Sequence, residues 1–339
     1  MLHLNQTATE YAYHLVKRTP SEQVAQEIAK RYRVSEKQAA EDYADLTERI
    51  QTLIETPDLD PVTYLDFERT TPYSERIGAP YRLDCALTYK LPKGSQAEAA
   101  PHKRVERELS TEEWKQVIDK AWGAGIPHIM FTGGEPTLRD DLVELLQHAE
   151  DLGMVTGLLT DGLRLGDTAT LKSLLDAGLD HAMIVLQAGK DKTWDSIASF
   201  AYWKEVLDDD IFIAAHLTLT QKNAGQANEL LDRIAASGVS AVSLSENDPS
   251  LSETLQAARD HADFIDLPLV WDMPVPYSEL NPVALELDKA EGDHPDGAGK
   301  AWLYVEPDGD VLPGQGINRV LGNMLEDEWG KIWGQAKGY

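Results

Sequence analysis

Glycine, carboxylate and proline stand side by side in the segment Thr132-Gly133-Gly134-Glu135-Pro136. It follows an apolar run and precedes an amphipathic one, which predicts a loop between a strand and a helix. Two adjacent glycines let the backbone approach a ligand, a carboxylate suits an ammonium group, and N–H groups at a strand end suit an anion. The same pattern also fits a tight turn in which Glu135 caps the helix, so both interpretations remain open.

Polar residues also follow other apolar runs. Thr160 and Asp161 come after the next run, Gln187 after the fourth and Asn247 after the sixth. The carboxyl ends of parallel strands form the usual ligand site of an α/β fold. We therefore expect Thr160, Gln187 and Asn247 to line the same site as the glycine turn, although an Asp-Gly turn also accounts for Asp161.

Metal chemistry is restricted because the chain has one cysteine, Cys85. A single cysteine forms no intrachain disulfide and no all-cysteine metal site. Cys85 lies in a strand-like run, which predicts a buried structural thiol. The nine histidines show no ligand spacing, so no metal site is predicted and no catalytic residue is assigned. His216, in the middle of an apolar run, is expected to be a hydrogen-bonded core residue.

Alternating strands and helices must position these side chains. Strands are predicted at 81–89, 128–132, 155–160, 182–186, 211–220 and 241–244. Helices are predicted at 111–122, 140–151, 168–177, 191–207, 224–236 and 250–265. One apolar run per strand indicates a parallel sheet covered by helices. Six repeats are too few for an eight-stranded barrel and fit a partial barrel or an open doubly wound sheet.

The ends of the chain have a different character. Residues 1–54 show helical spacing in three short segments, and residues 55–79 contain three prolines and predict a linker. Near the carboxyl end, Asp308-Gly309 lies between two short apolar runs and predicts a β-hairpin. Residues 325–333 predict a short closing helix.

An excess of acidic side chains excludes several partners. The chain has 58 Asp and Glu against 31 Lys and Arg, a formal net charge of −27. Nucleic acid and anionic membranes repel such a protein. No run of 18 apolar residues and no signal-like amino terminus is present, so we expect no membrane span and a cytoplasmic location.

The segment Thr132 to Pro136 resembles the GGEP motif of radical S-adenosylmethionine (SAM) enzymes, and the strand Asp84 to Lys90 resembles the one that leads into their cluster loop. Residues 4–54 are similar to PqqD-like peptide-recognition domains, and residues 301–333 resemble SPASM or twitch extensions. The resemblance implies a (β/α)6 partial TIM-like barrel with a small winged-helix-like amino-terminal domain and a short α+β extension. The expected divisions are 1–56 PqqD-like, 57–79 linker, 80–266 barrel and 267–339 extension.

The resemblance implies that the GGEP segment, Gly133, Gly134, Glu135 and Pro136, contacts SAM. Thr160, Gln187 and Asn247 complete the expected SAM-binding set because they follow strands at the same edge of the sheet. The resemblance further implies that the amino-terminal domain holds a peptide substrate or its leader; the recruitment of a partner enzyme is a separate hypothesis.

The sequence departs from the family at the three cysteines of C-x-x-x-C-x-x-C. Counted from the strand, their positions hold Leu91, Ser95 and Glu98; counted from Cys85, the other two hold Tyr89 and Pro92. A [4Fe-4S] cluster is therefore not expected. The leading hypothesis is a cluster-free pseudoenzyme or binding protein. The alternatives are a SAM-binding enzyme with non-radical chemistry and a cysteine-substituted form of an active peptide maturase.

Overall fold

The computed structural model describes residues 6–56, 59, 61–65, 77–92, 105–186, 191–207, 211–270, 273–274 and 297–337. The chain divides into two compact units, Met1–Ser74 and Glu75–Tyr339. This division falls inside the segment 57–79, whose role as a linker stays a prediction. No helix of the described residues is long and apolar enough to cross a membrane.

The described elements of the amino-terminal unit are all helices. Its helices are α1 (Gln6–Val16), α2 (Ser21–Tyr32), α3 (Glu36–Glu55) and α4 (Pro61–Leu65). Val24 and Ile28 of α2 are fully buried against Ala39 and Tyr43 of α3, because these residues recur at helical spacing on facing sides. The side chain of Ser35 caps α3 by accepting a hydrogen bond from the Gln38 N–H. The winged-helix-like description stays a prediction.

The second unit alternates strands and helices. Its strands are β1 (Arg82–Thr88), β2 (His128–Gly133), β3 (Val155–Thr160), β4 (His181–Val185), β5 (Phe212–Leu219) and β6 (Ala241–Glu246). Its helices are α5 (Thr111–Gly123), α6 (Leu142–Asp151), α7 (Thr168–Asp176), α8 (Asp191–Leu207), α9 (Ala227–Ala236) and α10 (Ser252–Phe264). These elements confirm the predicted ones to within a few residues.

The six strands form one parallel sheet in the order β6-β5-β4-β3-β2-β1. This confirms the α/β class with a parallel-sheet core, while closure into a partial barrel stays a prediction. Side chains alternate between two faces. On the helix face, Ile129, Phe131 and Leu158 join the main core with the helices. On the opposite face, here called the inner face, Met130 and Leu159 form a separate buried cluster.

The carboxyl-terminal segment extends the sheet beyond β1. Strand β7 (Trp302–Val305) pairs parallel with β1, and β8 (Asp310–Leu312) and β9 (Gly322–Asn323) follow antiparallel. The predicted hairpin is confirmed, with Gly309 at φ +92° in its turn. The closing helix, α11 (Trp329–Ala336), begins four residues later than predicted. The reason is a turn in which the Asp327 carboxylate accepts the Asn323 N–H and the Asp327 N–H donates to Asn323.

Candidate functional site

The glycine turn at the end of β2 lies directly against the end of β1. The Gly134 N–H donates to the Thr88 carbonyl at 2.7 Å, and the Glu135 N–H donates to the Lys90 carbonyl at 2.9 Å. A Cβ built on Gly133 would stand 2.2 Å from the Thr88 oxygen, and one on Gly134 would stand 2.3 Å from the Lys90 oxygen. Both glycines are therefore required by close backbone approach, and these two amides bond to the last residue of β1 and to the segment just after it rather than to a ligand.

The Glu135 carboxylate lies inside the protein, with 1% of the residue exposed. Its Oε1 accepts hydrogen bonds from the Thr137 N–H at 3.0 Å, the Thr137 hydroxyl at 2.5 Å and the Thr160 hydroxyl at 2.8 Å. Its Oε2 accepts the Asp161 N–H at 2.7 Å. Glu135 thus joins the end of β2 to the end of β3, and buried Pro136 starts the one-turn helix Pro136–Leu138.

Burial sets the charge state of this carboxyl group. Removal from water and the neighbouring Asp161 charge raise the pKa of Glu135 to about 8, against its four hydrogen-bond donors, which favour the ionised form. The charged form, which would bind an ammonium ion most strongly, is therefore less favoured here than in an exposed glutamate.

The expected site residues fall into three places. Gly133, Gly134, Glu135 and Pro136 meet Thr160 across the ends of β2 and β3. Asn247 follows β6, where it is exposed and its N–H donates to the Leu219 carbonyl at 3.0 Å. Strands β4 and β5 lie between β6 and this group. Gln187 lies outside the described residues. All seven remain predicted ligand contacts.

Arg139, which the sequence pattern does not single out, stabilises the segment that follows the glycine turn. The Arg139 guanidinium makes a two-point contact with Asp141, at 2.8 and 2.6 Å. Its remaining Nη1 donates to the carbonyls of Leu87 at 3.2 Å and Leu109 at 3.1 Å. The Arg-x-Asp spacing after the glycine turn is the sequence signal that could have identified this contact.

The end of β1, where the family's cluster loop would begin, is packed with apolar and aromatic side chains. Tyr89, Tyr304 and Leu312 form a buried cluster with Ala86, and Leu91 packs against it. The Tyr89 hydroxyl donates to Oε1 of buried Glu306 at 3.0 Å. Ser95 and Glu98 lie outside the described residues.

Cys85 points to the other side of the sheet. It is fully buried in the helix-face core with Leu83 and Leu87, as its alternation with Ala86 requires. Burial, and next the charge of Asp84, raise the pKa of the thiol well above its usual value. This confirms the predicted buried thiol, which has no access to the inner face.

A second polar group occupies the inner face of β5 and β6. His216 is 1% exposed; its Nδ1 lies 3.0 Å from the Ser243 hydroxyl, and its Nε2 lies 3.1 Å from the hydroxyls of Thr218 and Ser245. This confirms the hydrogen-bonded core histidine predicted from the sequence. Burial lowers the pKa of His216 to about 4.

Acidification should therefore destabilise this unit through His216. In the folded protein the pKa of His216 lies below its usual value of 6.5. The contribution of the neutral ring to the free energy of unfolding is therefore complete above pH 6.5. It is lost as the pH falls toward 4, by up to about 3 kcal/mol. Urea unfolding followed by tryptophan fluorescence between pH 7 and 4.5 measures this loss, because all eight tryptophans follow residue 75. His216→Gln should reduce the pH dependence of the free energy of unfolding by the amount expected for the uptake of about one proton. If this free energy varied with pH in parallel for the two proteins, the lowered pKa of His216 would be contradicted.

Comparisons with known proteins agree with this architecture. Residues 85–209 match the radical SAM superfamily. A PqqA peptide cyclase of Rhizobium meliloti is 28% identical over 305 residues, covering 80% of this chain and 77% of that protein. A PqqA peptide cyclase of Rhodopseudomonas palustris is 36% identical over 136 residues, covering 40% of this chain and 36% of that protein.

Solved structures show the same fold at low sequence identity. Streptococcus suis SuiB bound to S-adenosylmethionine superposes with a TM-score of 0.56 at 14% identity, covering 98% of this chain and 82% of that one. The enzyme anSMEcpe with AdoMet and the Cp18Cys peptide gives 0.57 at 14% identity, covering 77% and 82%. Residues 85–209 thus carry a radical SAM domain, and the chain is homologous to the PqqA peptide cyclases.

Proposed function

We propose that this chain is a cluster-free relative of the radical SAM enzymes that modify peptides, and that it acts by binding rather than by radical chemistry. The carrying observation is its only cysteine, Cys85, which is fully buried on the helix face of β1. A [4Fe-4S] cubane that leaves one iron for SAM needs three thiolates. The donor set of this chain does not fit that cluster, so no reductive step is assigned to it.

In the proposed function, Glu135 and the two glycines of the predicted SAM site have a structural role. Glu135 uses its carboxyl group to hold the ends of β2 and β3 together, and the two glycines allow the close approach to β1. These contacts preserve the shape of the loop without a cofactor. SAM remains the ligand that Gly133, Gly134, Glu135, Pro136, Thr160, Gln187 and Asn247 would hold if any binding is retained.

The names of the similar proteins support a peptide as the binding partner of this chain. The curated relatives are named PqqA peptide cyclases, and SuiB has been solved with its precursor peptide SuiA. We assign peptide or leader binding to residues 1–56, the proposed PqqD-like domain. A groove along α3, with Tyr43, Thr47 and Gln51 in its lining, offers a surface for such a segment. A partner enzyme with an intact cluster would then carry out the chemistry.

An assay of reductive SAM cleavage distinguishes a cluster-free binding protein from an active radical SAM enzyme. The full chain, anaerobically reconstituted and supplied with SAM and dithionite, should release no methionine above a protein-free control. Calorimetric titration with SAM should give no saturable heat. Methionine release would overturn the proposal. Saturable binding without cleavage would instead support the alternative of a SAM-binding enzyme with non-radical chemistry.

A further inference from the structure

Two histidines meet at the end of the sheet opposite to the glycine turn. His128 is the first residue of β2 and His181 the first of β4. Their Nε2 atoms lie 3.1 Å apart although β3 runs between the two strands. They can meet because β3 carries Gly157 opposite His181, where a Cβ would stand 2.3 Å from the His181 Nε2.

The orientation of the rings is informative. The ring centroids are 4.8 Å apart and the ring planes make an angle of 64°. A straight N–H···N bond would place the centroids farther apart than this for the same nitrogen separation. An ion placed about 2.1 Å from each Nε2, an ordinary imidazole–metal distance, would span their 3.1 Å separation with a nitrogen–metal–nitrogen angle of about 95°.

We propose that His128 and His181 form a bidentate site for a late transition-metal dication, with Ni²⁺ or Cu²⁺ fitting better than Zn²⁺. An angle of about 95° across the 3.1 Å nitrogen separation suits adjacent positions of a square-planar or octahedral ion better than a tetrahedral one. The proposal is independent of the proposed function, since neither residue touches the glycine turn or the end of β1.

The surroundings favour neutral imidazoles, the form that ligates a metal. Burial lowers the pKa of both His128 and His181. The nearby positive charge of Arg82 is balanced by its two-point contact with Asp84, at 2.6 and 3.1 Å.

Water would complete the coordination shell. Both residues are partly exposed at this end of the sheet. Among the described residues, the one group of three or more potential ligands lies elsewhere, at Glu306, Asp308 and Asp310. The site is therefore weaker than one with three protein ligands and depends on both imidazoles.

Nickel binding tests the site directly. The full chain without an affinity tag, carrying His3→Ala in every variant, is titrated calorimetrically with NiCl₂ at pH 7.5 and in parallel with MgCl₂. His3 is removed because a free amine followed by histidine at the third position chelates Ni²⁺ itself. One equivalent of Ni²⁺ should bind and Mg²⁺ should not. His128→Gln and His181→Gln should each weaken binding at least about tenfold.

The matched control is His148→Gln, a surface histidine paired with Asp119 at 2.8 Å, which should leave nickel binding unchanged. X-ray absorption of the His3→Ala protein loaded with one Ni²⁺ should count two imidazole ligands, a result that does not depend on the folding of the His128 and His181 variants. Absence of saturable nickel binding, binding that survives both substitutions, or a spectrum with fewer than two imidazoles would overturn the proposal and leave a direct hydrogen bond between the rings.

Discussion

Replacing Gly134 by alanine is expected to destabilise the unit Glu75–Tyr339 by about 3 kcal/mol or more. The new Cβ would stand 2.3 Å from the Lys90 carbonyl oxygen and 3.0 Å from that of Tyr89. Both are backbone atoms and cannot rotate away. Relief requires the ends of β1 and β2 to separate, which would break the Gly134-to-Thr88 hydrogen bond and the one that follows it.

Gly166→Ala is the matched control, because a Cβ there meets no heavy atom within 4 Å and Gly166 has no positive φ. Its expected effect is within about 1 kcal/mol of zero. Urea unfolding followed by tryptophan fluorescence compares the two variants, since every tryptophan lies in the second unit. Equal midpoints for Gly134→Ala and Gly166→Ala would contradict the close packing of the two strand ends.

Replacing Glu135 by alanine should cost about 4 kcal/mol of the free energy of unfolding. The change removes the acceptor of four donors from Thr137, Thr160 and Asp161, and the Thr137 and Asp161 amides would lose their partner inside the protein. The same unfolding experiment measures the loss.

Glu112→Ala removes a mostly exposed carboxylate, which pairs with Lys115 at 3.3 Å, and should change the stability by less than about 0.5 kcal/mol. A Glu135 variant as stable as this control would show that the carboxyl group does not hold β2 and β3 together. That result would return Glu135 to the role expected from the sequence, a side chain available to a ligand.

The order and type of the elements in the second unit could be predicted from the sequence. Each strand is a single apolar run and each helix an amphipathic one, so the pattern alone locates them. The apolar pattern predicts the start of α11 too early because residues 322–327 are held in a turn by Asn323 and Asp327. The Asn323 side chain is itself held by the Asp308 carbonyl and the Asp310 carboxylate, contacts that a local pattern does not reveal.

The glycine turn illustrates what sequence reasoning can and cannot establish. The preceding apolar run correctly predicts that the segment follows a strand, but its amides bond to the carbonyls of Thr88 and Lys90, the first of which lies forty-six residues before Gly134. The carboxyl group of Glu135 similarly finds Thr160 and Asp161 on another strand. Burial of this kind arises only when the strands assemble. The ligand contacts assigned to Gln187 and Asn247 stay predictions.

The Tyr89–Glu306 contact has the same origin. The two residues are 217 positions apart and meet because β7 pairs with β1 in parallel register. Neither side chain forms a recognisable motif alone. By contrast, the sequence alone shows that the chain has one cysteine and predicts that it lies in a strand.

Iron and acid-labile sulfide analysis after anaerobic reconstitution tests the absence of the cluster most directly. A radical SAM enzyme with an intact C-x-x-x-C-x-x-C motif is treated in parallel, and Cys85→Ala serves as the matched variant. We expect well below one iron per chain, with the same residual value in the variant, because the buried thiol contributes no ligand. Close to four irons and four sulfides per chain, as a cubane requires, would contradict it.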